Sequence, residues 1–503
     1  MKRVSHIILC LVLALASASA PARNVKVSFA PDSVRVLRNP LSGWVMYLGR
    51  TWDDDFWDVQ GYDHMKTNTG ETVRVSDYAG TAYIRTSWSS LEPQKGVYAW
   101  RDSTSRVYRL FKSVQDRGMR LAFRIVVDGR DQGQNTPMFV IEDGAAYYTS
   151  GNGRHKSPYP DDPVFQKHYE NFVRALAEDF NDPDKVDFID AYGLGKWGES
   201  HGMIYSDPAD KHAVFDWITT LYTSTFTKVP LLIHYHRVIG VGDGESYGDV
   251  APDTDSLLVS AIDKGYSLRH DAFGMTDYYQ KWEKDFAARW NFRRPIIFEG
   301  GWITAAHHRY WMDPCGKYRE GHSEDVRRGE FEAAREAHAN TMDYRVNDET
   351  RSWFTQTFDL VKSFVAEGGY RLYPSSVTVP AKARRGRTIH VSHTWDNLGW
   401  GYCPNNIPQW NYRYKPALAL LDSDGKPVRV YVDDAAEPSE WIMGSRTSYD
   451  FEFKVDDIPQ GTYTWGVAII DRTEDCRPGL EIAVSADRVN AYGWTPLSRV
   501  KIR

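Results

Sequence analysis

Two glutamates, Glu199 and Glu299, lie close to apolar runs that predict buried strands. Burying a carboxylate costs free energy unless the group is ion-paired or takes part in catalysis. Glu299 follows the apolar run 296–298 and precedes two glycines and Trp302. Glu199 lies in the stretch GLGKWGESHG, residues 193–202, again among glycines, a tryptophan and a histidine. Two carboxylates that converge on one cleft can divide a hydrolysis between them. One protonates the leaving oxygen, and the other attacks carbon or activates water.

The chain from 39 to 368 alternates short apolar runs with amphipathic stretches, a pattern typical of repeated β-α units around a parallel sheet. Eight units favour a closed (β/α)8 barrel, a TIM barrel of the α/β class, with an open doubly wound sheet as the alternative. The active site of such a barrel lies at the carboxyl ends of its strands, where Glu199 follows strand four and Glu299 ends strand seven. The predicted strands are 44–48, 82–86, 121–127, 186–192, 229–235, 266–275, 295–299 and 341–346.

Helices are predicted between these strands. After the last predicted helix, the spacing of the apolar residues changes. From 369 to 503 the apolar residues alternate with period two, which predicts a C-terminal all-β sandwich. The segment 23–38 also alternates, so we expect it to add a strand to that sandwich. The predicted helices cover 103–117, 163–180, 209–225, 253–264, 277–291, 323–338 and 349–367.

The first 22 residues have the organisation of a cleaved signal peptide. Lys2 and Arg3 precede a short apolar run, and small residues then allow cleavage after Ala18, Ala20 or Ala22. Cys10 lies too early in the run for a lipoprotein attachment site. We therefore expect a secreted or periplasmic protein without a lipid anchor.

Composition narrows the class of partner. The 503 residues carry a formal net charge of −6, and the sequence pI is about 6.2, so there is no basic excess to attract nucleic acid. The apolar run of the leader is too short to span a bilayer, and we expect no stable membrane insertion. The chain has 18 Trp and 30 Tyr, rings that can stack on sugar faces or fill a core.

Three cysteines remain after the leader, an odd number for an oxidising compartment. A disulfide between Cys403 and Cys476 would staple the sandwich, and one between Cys315 and Cys403 would join the two domains. The sequence does not choose between these pairings, and it leaves the oligomeric state open.

The glutamate pair resembles that of the clan A glycoside hydrolases, (β/α)8 enzymes that carry catalytic glutamates after strands four and seven. The run 88–100, Trp-x-x-Leu-Glu-Pro-x-x-Gly-x-Tyr-x-Trp, is similar to the strand-two region of that clan. The resemblance implies a retaining hydrolase of an oligo- or polysaccharide that needs no cofactor. It implies Glu199 as general acid/base with a raised pKa and Glu299 as the ionised nucleophile.

The mature chain also resembles a family of secreted bacterial proteins. Members begin their barrel with Asn-Pro-Leu-x-Gly, here Asn39 to Gly43, and carry Trp-Gly-Glu after strand four, here Trp197 to Glu199. One position departs from clan A. Gly198 precedes the strand-four glutamate, where clan members usually have an asparagine that binds the sugar 2-hydroxyl.

Ten further residues at strand ends are candidates for substrate binding. The arginines could bind hydroxyls or a sugar carboxylate, or hold Glu299 ionised; the tryptophans could wall a subsite or pack within loops. The histidines could bond substrate or tune the carboxylates. The candidates are Arg85, Trp88, Arg124, Trp197, His201, His234, His236, Asp271, Tyr278 and Trp302.

Two other functions compete with a glycosidase. A barrel can retain a glycan site for binding without catalysis. His234, His236, His270 and Asp271 form the kind of cluster that can hold a metal in a metal-dependent barrel hydrolase. Such hydrolases usually carry His-x-His on strand one and Asp on strand eight, a pattern that we do not find. We therefore expect no metal.

Overall fold

A computed structural model describes residues 24–48, 55–130, 133–242, 249–275, 278–303 and 316–503. The leader, Cys10 and Cys315 lie outside the described residues. Within them, no helix is both long and apolar enough to cross a bilayer.

The N-terminal two thirds of the chain form a closed parallel barrel of eight strands, which confirms the predicted fold class. Each barrel strand pairs in parallel with the next one along the chain, and the eighth closes on the first, with Asp343 opposite Val45. Each of the eight predicted apolar runs overlaps a barrel strand. The strands are Gly43–Tyr47, Ala79–Ser87, Arg120–Val126, Val186–Asp190, Leu231–His234, Ser267–Asp271, Ile296–Glu299 and Thr341–Asp343.

Helices pack around the outside of the barrel, and polar caps fix where several of them begin. Ser105 accepts the backbone N–H of Tyr108, and Asp162 accepts that of Phe165. The predicted helix 349–367 is two helices, because Thr357 leaves the helical region (φ −139°). The α-helices are Phe56–Val59, Trp88–Leu91, Arg106–Asp116, Met138–Glu142, Pro163–Phe180, Lys211–Thr225, Thr254–Asp263, Lys281–Trp290, Ser323–Glu336, Asp348–Gln356 and Phe358–Glu367.

Two sheets face each other in the C-terminal sandwich. The first has the order Asn24–Ser28, Leu372–Pro380, Thr388–Asn397 and Thr447–Lys454. The second has the order Lys382–Ala383, Thr495–Ile502, Gly461–Asp471, Tyr414–Leu421 and Pro427–Val432, with Arg477–Leu480 beside Gly461–Asp471. Inward-facing residues of both sheets, among them Val391, Trp395, Leu418 and Trp465, form one buried cluster.

The N-terminal segment joins the two parts. Asn24–Ser28 pairs antiparallel with Leu372–Pro380, so the first described strand belongs to the sandwich although it precedes the barrel in sequence. Cys403 and Cys476 are both free thiols, so the first of the two possible disulfides is not formed.

The motif at residues 39–43 fastens the closed end of the barrel to the sandwich. The backbone N–H of Leu41 donates to buried Asp187 at 2.8 Å, and the side chain of Asn39 exchanges two hydrogen bonds with the backbone of Glu481. Tyr370 donates its hydroxyl to the carbonyl of Pro40 at 2.7 Å. The motif is therefore structural, at the opposite end of the barrel from the two glutamates.

Candidate active site at the carboxyl end of the barrel

Glu299 is the last residue of the seventh barrel strand and is fully buried (0% exposed). Arg269 donates to its Oε2 at 2.5 Å, and Arg124 lies 3.7 Å from the same oxygen. Arg345, which follows the eighth strand, forms an ion pair with Oε1. Three guanidinium groups therefore surround the carboxylate that the sequence marks as unusual.

Glu199 lies in the loop after the fourth strand and is 1% exposed. Arg124 donates to its Oε1 at 2.7 Å, Arg85 lies 3.8 Å from that oxygen, and His201 Nε2 lies 3.4 Å from Oε2. Burial by itself raises the pKa of Glu199, but Arg124, His201 and Arg85 outweigh it and hold the pKa well below its ordinary value. The expectation of a raised pKa is therefore wrong, because buried cations surround this carboxylate.

Arg124 joins the two glutamates. Its Nε donates to Asp190 at 2.6 Å, its Nη1 donates to Glu199, and its Nη2 faces Glu299. The side chain of Arg269 also contacts Asp190, with its Nε 3.1 Å from Oδ2 of that residue. The guanidinium carbon of Arg269 lies 4.1 Å from the ring centre of Tyr83. The two glutamates thus share one guanidinium at the mouth of the barrel.

Four members of this ionic network were not among the predicted site residues: Asp190, Arg269, Asp343 and Arg345. The period-two rule for strands could have found Arg269, because residues 269 and 271 face the same side of strand six. Asp343 lies 3.8 Å from Arg269 and accepts the backbone N–H of Gly300 at 2.8 Å. Burial raises the pKa of Asp343 to about 7 against the opposing effect of Arg269.

Asp271 ends the sixth strand and lies opposite Glu299 in the parallel register. Its Oδ1 is 2.9 Å from Nε2 of His234, and it is the most exposed carboxylate of the group at 7%. Burial, reinforced by the charge of Glu199, raises the pKa of Asp271. Burial also lowers the pKa of His234 to about 3, so that imidazole is neutral at pH 7. The pKa values of Glu199 and Asp271 are therefore shifted in opposite directions, as in pairs of carboxyl groups that divide acid and base roles.

A cluster of imidazoles lies beside Asp271. The rings of His234 and His270 are 4.9 Å apart between centroids, and His236 lies within 5.7 Å of both and of His201. Burial lowers the pKa of His270 to about 4, and it also lowers the pKa of His236. The phenol ring of Tyr278 is 4.9 Å from that of His236. Burial therefore favours the neutral form of His234, His236 and His270 in this part of the barrel.

Two sets of side chains are close enough to hold a metal: His234, His270 and Asp271, and His236, His270 and Glu283. In the first set, His270 Nδ1 lies 2.5 Å from the backbone carbonyl of Asp271, a contact that needs a proton on that nitrogen. In the second, Arg237 and the cap of the helix Lys281–Trp290 already occupy Glu283. Each set therefore has one ligand engaged elsewhere.

The tryptophans separate into two groups. Trp302 stacks on Arg345 at 4.7 Å, and Trp197 lies edge-on to His201 at 5.7 Å; both are partly exposed at the mouth. Trp88 is completely buried instead, where it packs against Phe172 and donates to Glu92 at 2.8 Å. The sequence prediction that Trp88 walls a subsite is wrong, because its ring points into the layer between strands and helices.

Several residues of the site have left-handed backbone conformations, which also occur elsewhere in the described chain, for example at Asn152 and Asn411. Trp197 and Ser200, on either side of Glu199, have φ of 58° and 60°, and Ala272 after Asp271 has φ of 48°. Arg345 has φ of 58°. Such conformations cost of order 1–3 kcal/mol each and cluster at functional sites. The carboxyl end of the barrel is therefore strained where its charged residues converge.

Gly198 also has a structural reason. Its φ is 76°, and a Cβ at this position would lie 3.3 Å from Cδ of Arg124. An asparagine here, as in clan A, would compete with Arg124 for space. Gly198, where clan A members usually have asparagine, thus leaves the space in which Arg124 contacts both glutamates.

Comparisons with known proteins find only distant structural similarity. No family model matches the sequence, and no curated protein matches it. Among solved structures, the catalytic domain of a β-amylase from Paenibacillus polymyxa is 11% identical, covering 65% of this chain and 98% of its own, with a TM-score of 0.42. Endo-glycoceramidase II from Rhodococcus sp. is 13% identical, covering 84% and 100%, with a TM-score of 0.38.

A third structure, xylanase B from Clostridium stercorarium F9, is 12% identical, covering 60% of this chain and 85% of its own, with a TM-score of 0.34. These are loose superpositions at low identity. The fold assignment follows from the closed eight-stranded barrel, and the site is interpreted from its own geometry.

Proposed function

We propose that the protein is an exported glycoside hydrolase that cleaves O-glycosyl bonds in an oligo- or polysaccharide at the carboxyl end of its barrel. The carrying observation is the guanidinium of Arg124, which brings Glu199 and Glu299 into one buried site beside the more exposed Asp271. Glycosidic hydrolysis needs one protonated and one ionised carboxyl group, and the opposite pKa shifts of Asp271 and Glu199 support such a pair.

The pKa shifts support catalytic roles that differ from those implied by the resemblance to clan A. Asp271, whose pKa is raised, donates its proton to the glycosidic oxygen as the bond from that oxygen to the anomeric carbon breaks. Glu299 bonds to the anomeric carbon and forms a glycosyl-enzyme. Water then attacks that carbon, the bond to Glu299 breaks, and the proton of the water returns to Asp271. Glu199, whose pKa is lowered, stabilises the positive charge of the sugar in both steps.

Leaving-group dependence tests these roles. The wild type and the Glu299→Gln, Asp271→Asn and Glu199→Gln variants are assayed on natural glycans and on dinitrophenyl glycosides, whose leaving group needs no protonation. We expect Glu299→Gln to lose activity on both substrates. Asp271→Asn should lose about 10²- to 10⁴-fold on glycans, the usual contribution of a general acid, and little on the activated substrate.

The same assay discriminates between the two candidate acids. If Glu199→Gln, and not Asp271→Asn, keeps activity on the activated glycoside alone, Glu199 is the proton donor. Asp187→Asn is the matched control, because Asp187 is a buried acid at the opposite end of the strand that precedes Glu199. Full activity of both Glu299→Gln and Glu199→Gln on a hydrolysed glycan would refute the proposal.

A non-catalytic glycan receptor is the second candidate, and one observation favours it. Glu199 and Glu299 are almost inaccessible within ion pairs, so substrate must displace arginine contacts before either carboxylate can react. Saturable binding of one glycan, without product from any member of a broad panel, would support the receptor. A metal-dependent hydrolase instead would lose its activity to a chelator.

A further inference from the structure

The arginines at the barrel mouth are unequally paired. Arg124 has contacts of 2.6 and 2.7 Å to Asp190 and Glu199, and Arg269 has contacts of 3.1 and 2.5 Å to Asp190 and Glu299. Arg345 is paired with Glu299. Each of these three guanidinium groups has at least one carboxylate at contact distance.

Arg85 has the weakest carboxylate contact of the four arginines. Its one ion pair is the 3.8 Å approach to Glu199 Oε1, an oxygen that already accepts from Arg124. Its Nε and Nη2 have no hydrogen-bond partner in the described part of the chain. Arg85 also lies directly opposite Arg124 in the register of the second and third strands, which sets like charges side by side.

A cation in this position lowers the stability of the folded protein. Arg85 is 8% exposed, and a buried charge without a hydrogen-bonded counter-ion is strongly unfavourable. Its position also distinguishes it from its neighbours. The side chains of Arg85 and Asp271 are each 10% exposed, whereas those of Glu199, Glu299, Arg124 and Arg269 are 0–1% exposed. Arg85 therefore lies towards the open side of the network, where a ligand arrives.

We propose that Arg85 is the binding group for an anionic substituent on the substrate, so that the protein acts on an acidic glycan bearing a carboxylate or a sulfate. The guanidinium fork presents parallel N–H donors that match either group. Arg345, stacked between Tyr47 and Trp302 at 4.9 and 4.7 Å, adds a second cation and two ring faces nearby. That the ligand is a glycan rests on the proposed function. That the ligand is anionic rests on the pairing of Arg85 alone.

Calorimetric binding tests the idea without requiring turnover. The probes are galacturonate, glucuronate and alginate oligosaccharides, the same oligosaccharides as methyl esters, and sulfated galactan oligosaccharides. We expect a charged probe to bind the wild type about 10- to 100-fold more tightly than its uncharged counterpart, the usual range for a hydrogen bond to a charged group. A preference for uronates assigns the anion as carboxylate, and a preference for the galactan assigns it as sulfate.

Variants locate the effect. Arg85→Gln should lose the preference for the charged probe, and Arg85→Lys should keep part of it. Arg120→Gln is the matched control, because Arg120 begins the third strand at the opposite end of the barrel. Equal binding of charged and esterified probes, no binding of any charged probe, or an undiminished preference in Arg85→Gln would each overturn the proposal.

Thermal unfolding separates a binding role from a structural one. Because the carboxylate contact of Arg85 is long and Arg124 already donates to the same oxygen, Arg85→Met should melt at or near the wild-type temperature, whereas Arg124→Met should melt well below it. Equal losses in the two variants would make Arg85 a structural partner of Glu199 and overturn the proposal. Binding of acidic glycans without cleavage would refute the hydrolase alone, and cleavage of a neutral glycan without charge preference would refute the anion site alone.

Discussion

Asp271 and His234 are joined by a short contact at the mouth of the barrel. Nε2 of His234 lies 2.9 Å from Asp271 Oδ1 and 3.3 Å from the backbone nitrogen of Asp271. One proton serves the 2.9 Å contact, either on the imidazole nitrogen or on the carboxyl group. The raised pKa of Asp271 and the lowered pKa of His234 both favour the neutral form of these groups.

The first prediction concerns that proton. Infrared difference spectra between the wild type and Asp271→Asn should show the carbonyl band of a protonated carboxylic acid above the ordinary aspartate pKa of about 3.9, fading as the pH rises through the raised pKa of Asp271. Activity on unactivated glycans should fall over the same pH range, because the acid form is consumed. A band that is lost at or below the ordinary aspartate pKa would contradict this assignment.

The second prediction concerns acid stability. His234 and His270 have folded pKa values of about 3 and about 4, below the value of about 6.5 for an unfolded histidine. The unfolded chain therefore binds more protons as the pH falls below about 6.5, and each histidine costs up to about 1.4 kcal/mol of unfolding free energy per pH unit until its folded pKa is reached.

Urea unfolding between pH 7 and pH 4.5 measures this slope. His270→Gln should flatten it relative to the wild type. His212→Gln, which removes an exposed histidine that lies 3.3 Å from Asp253, should leave it unchanged. Identical slopes in all three proteins would show that the buried imidazoles do not control acid stability.

The third prediction concerns the hub of the ionic network. Arg124→Met leaves Asp190, Glu199 and Glu299 with fewer counter-charges inside the barrel, and breaking a buried pair typically costs about 3–5 kcal/mol. Chemical denaturation measures the loss. Arg101→Met, which removes an exposed pair with Asp179, should change stability by no more than about 1 kcal/mol. A small effect at Arg124 would mean that water or rearrangement compensates for its absence.

The fourth prediction separates the tryptophans. Trp88→Ala should cost about 3–5 kcal/mol of stability, the usual range for truncating a buried aromatic side chain. Trp302→Ala should have little effect on stability but should weaken glycan binding, because its ring is partly exposed beside Arg345. Denaturation and calorimetry on both variants test the pair, and the opposite pattern would place Trp88 at the site.

The sequence alone specified the barrel and the positions of the two glutamates. All eight apolar runs became strands because alternating apolar runs and amphipathic stretches have few compact solutions other than a parallel barrel. The motif at residues 88–100 also has a local meaning that sequence carries. Glu92 accepts from the indole of Trp88 and from the backbone N–H of Gly96, each at 2.8 Å, which fixes the turn after the second strand.

Only the tertiary structure decided which groups meet at the mouth and in which charge state. Arg124, Arg269 and Arg345 come from three different strands or their loops, and sequence separation says nothing about their convergence on Glu299. Protonation follows from that convergence, because the pKa of a buried carboxyl depends on desolvation and on the nearest charges. Glu199 therefore has a lowered pKa where the resemblance implies an acid, and Asp271, a substrate-binding candidate in the sequence, has the raised pKa.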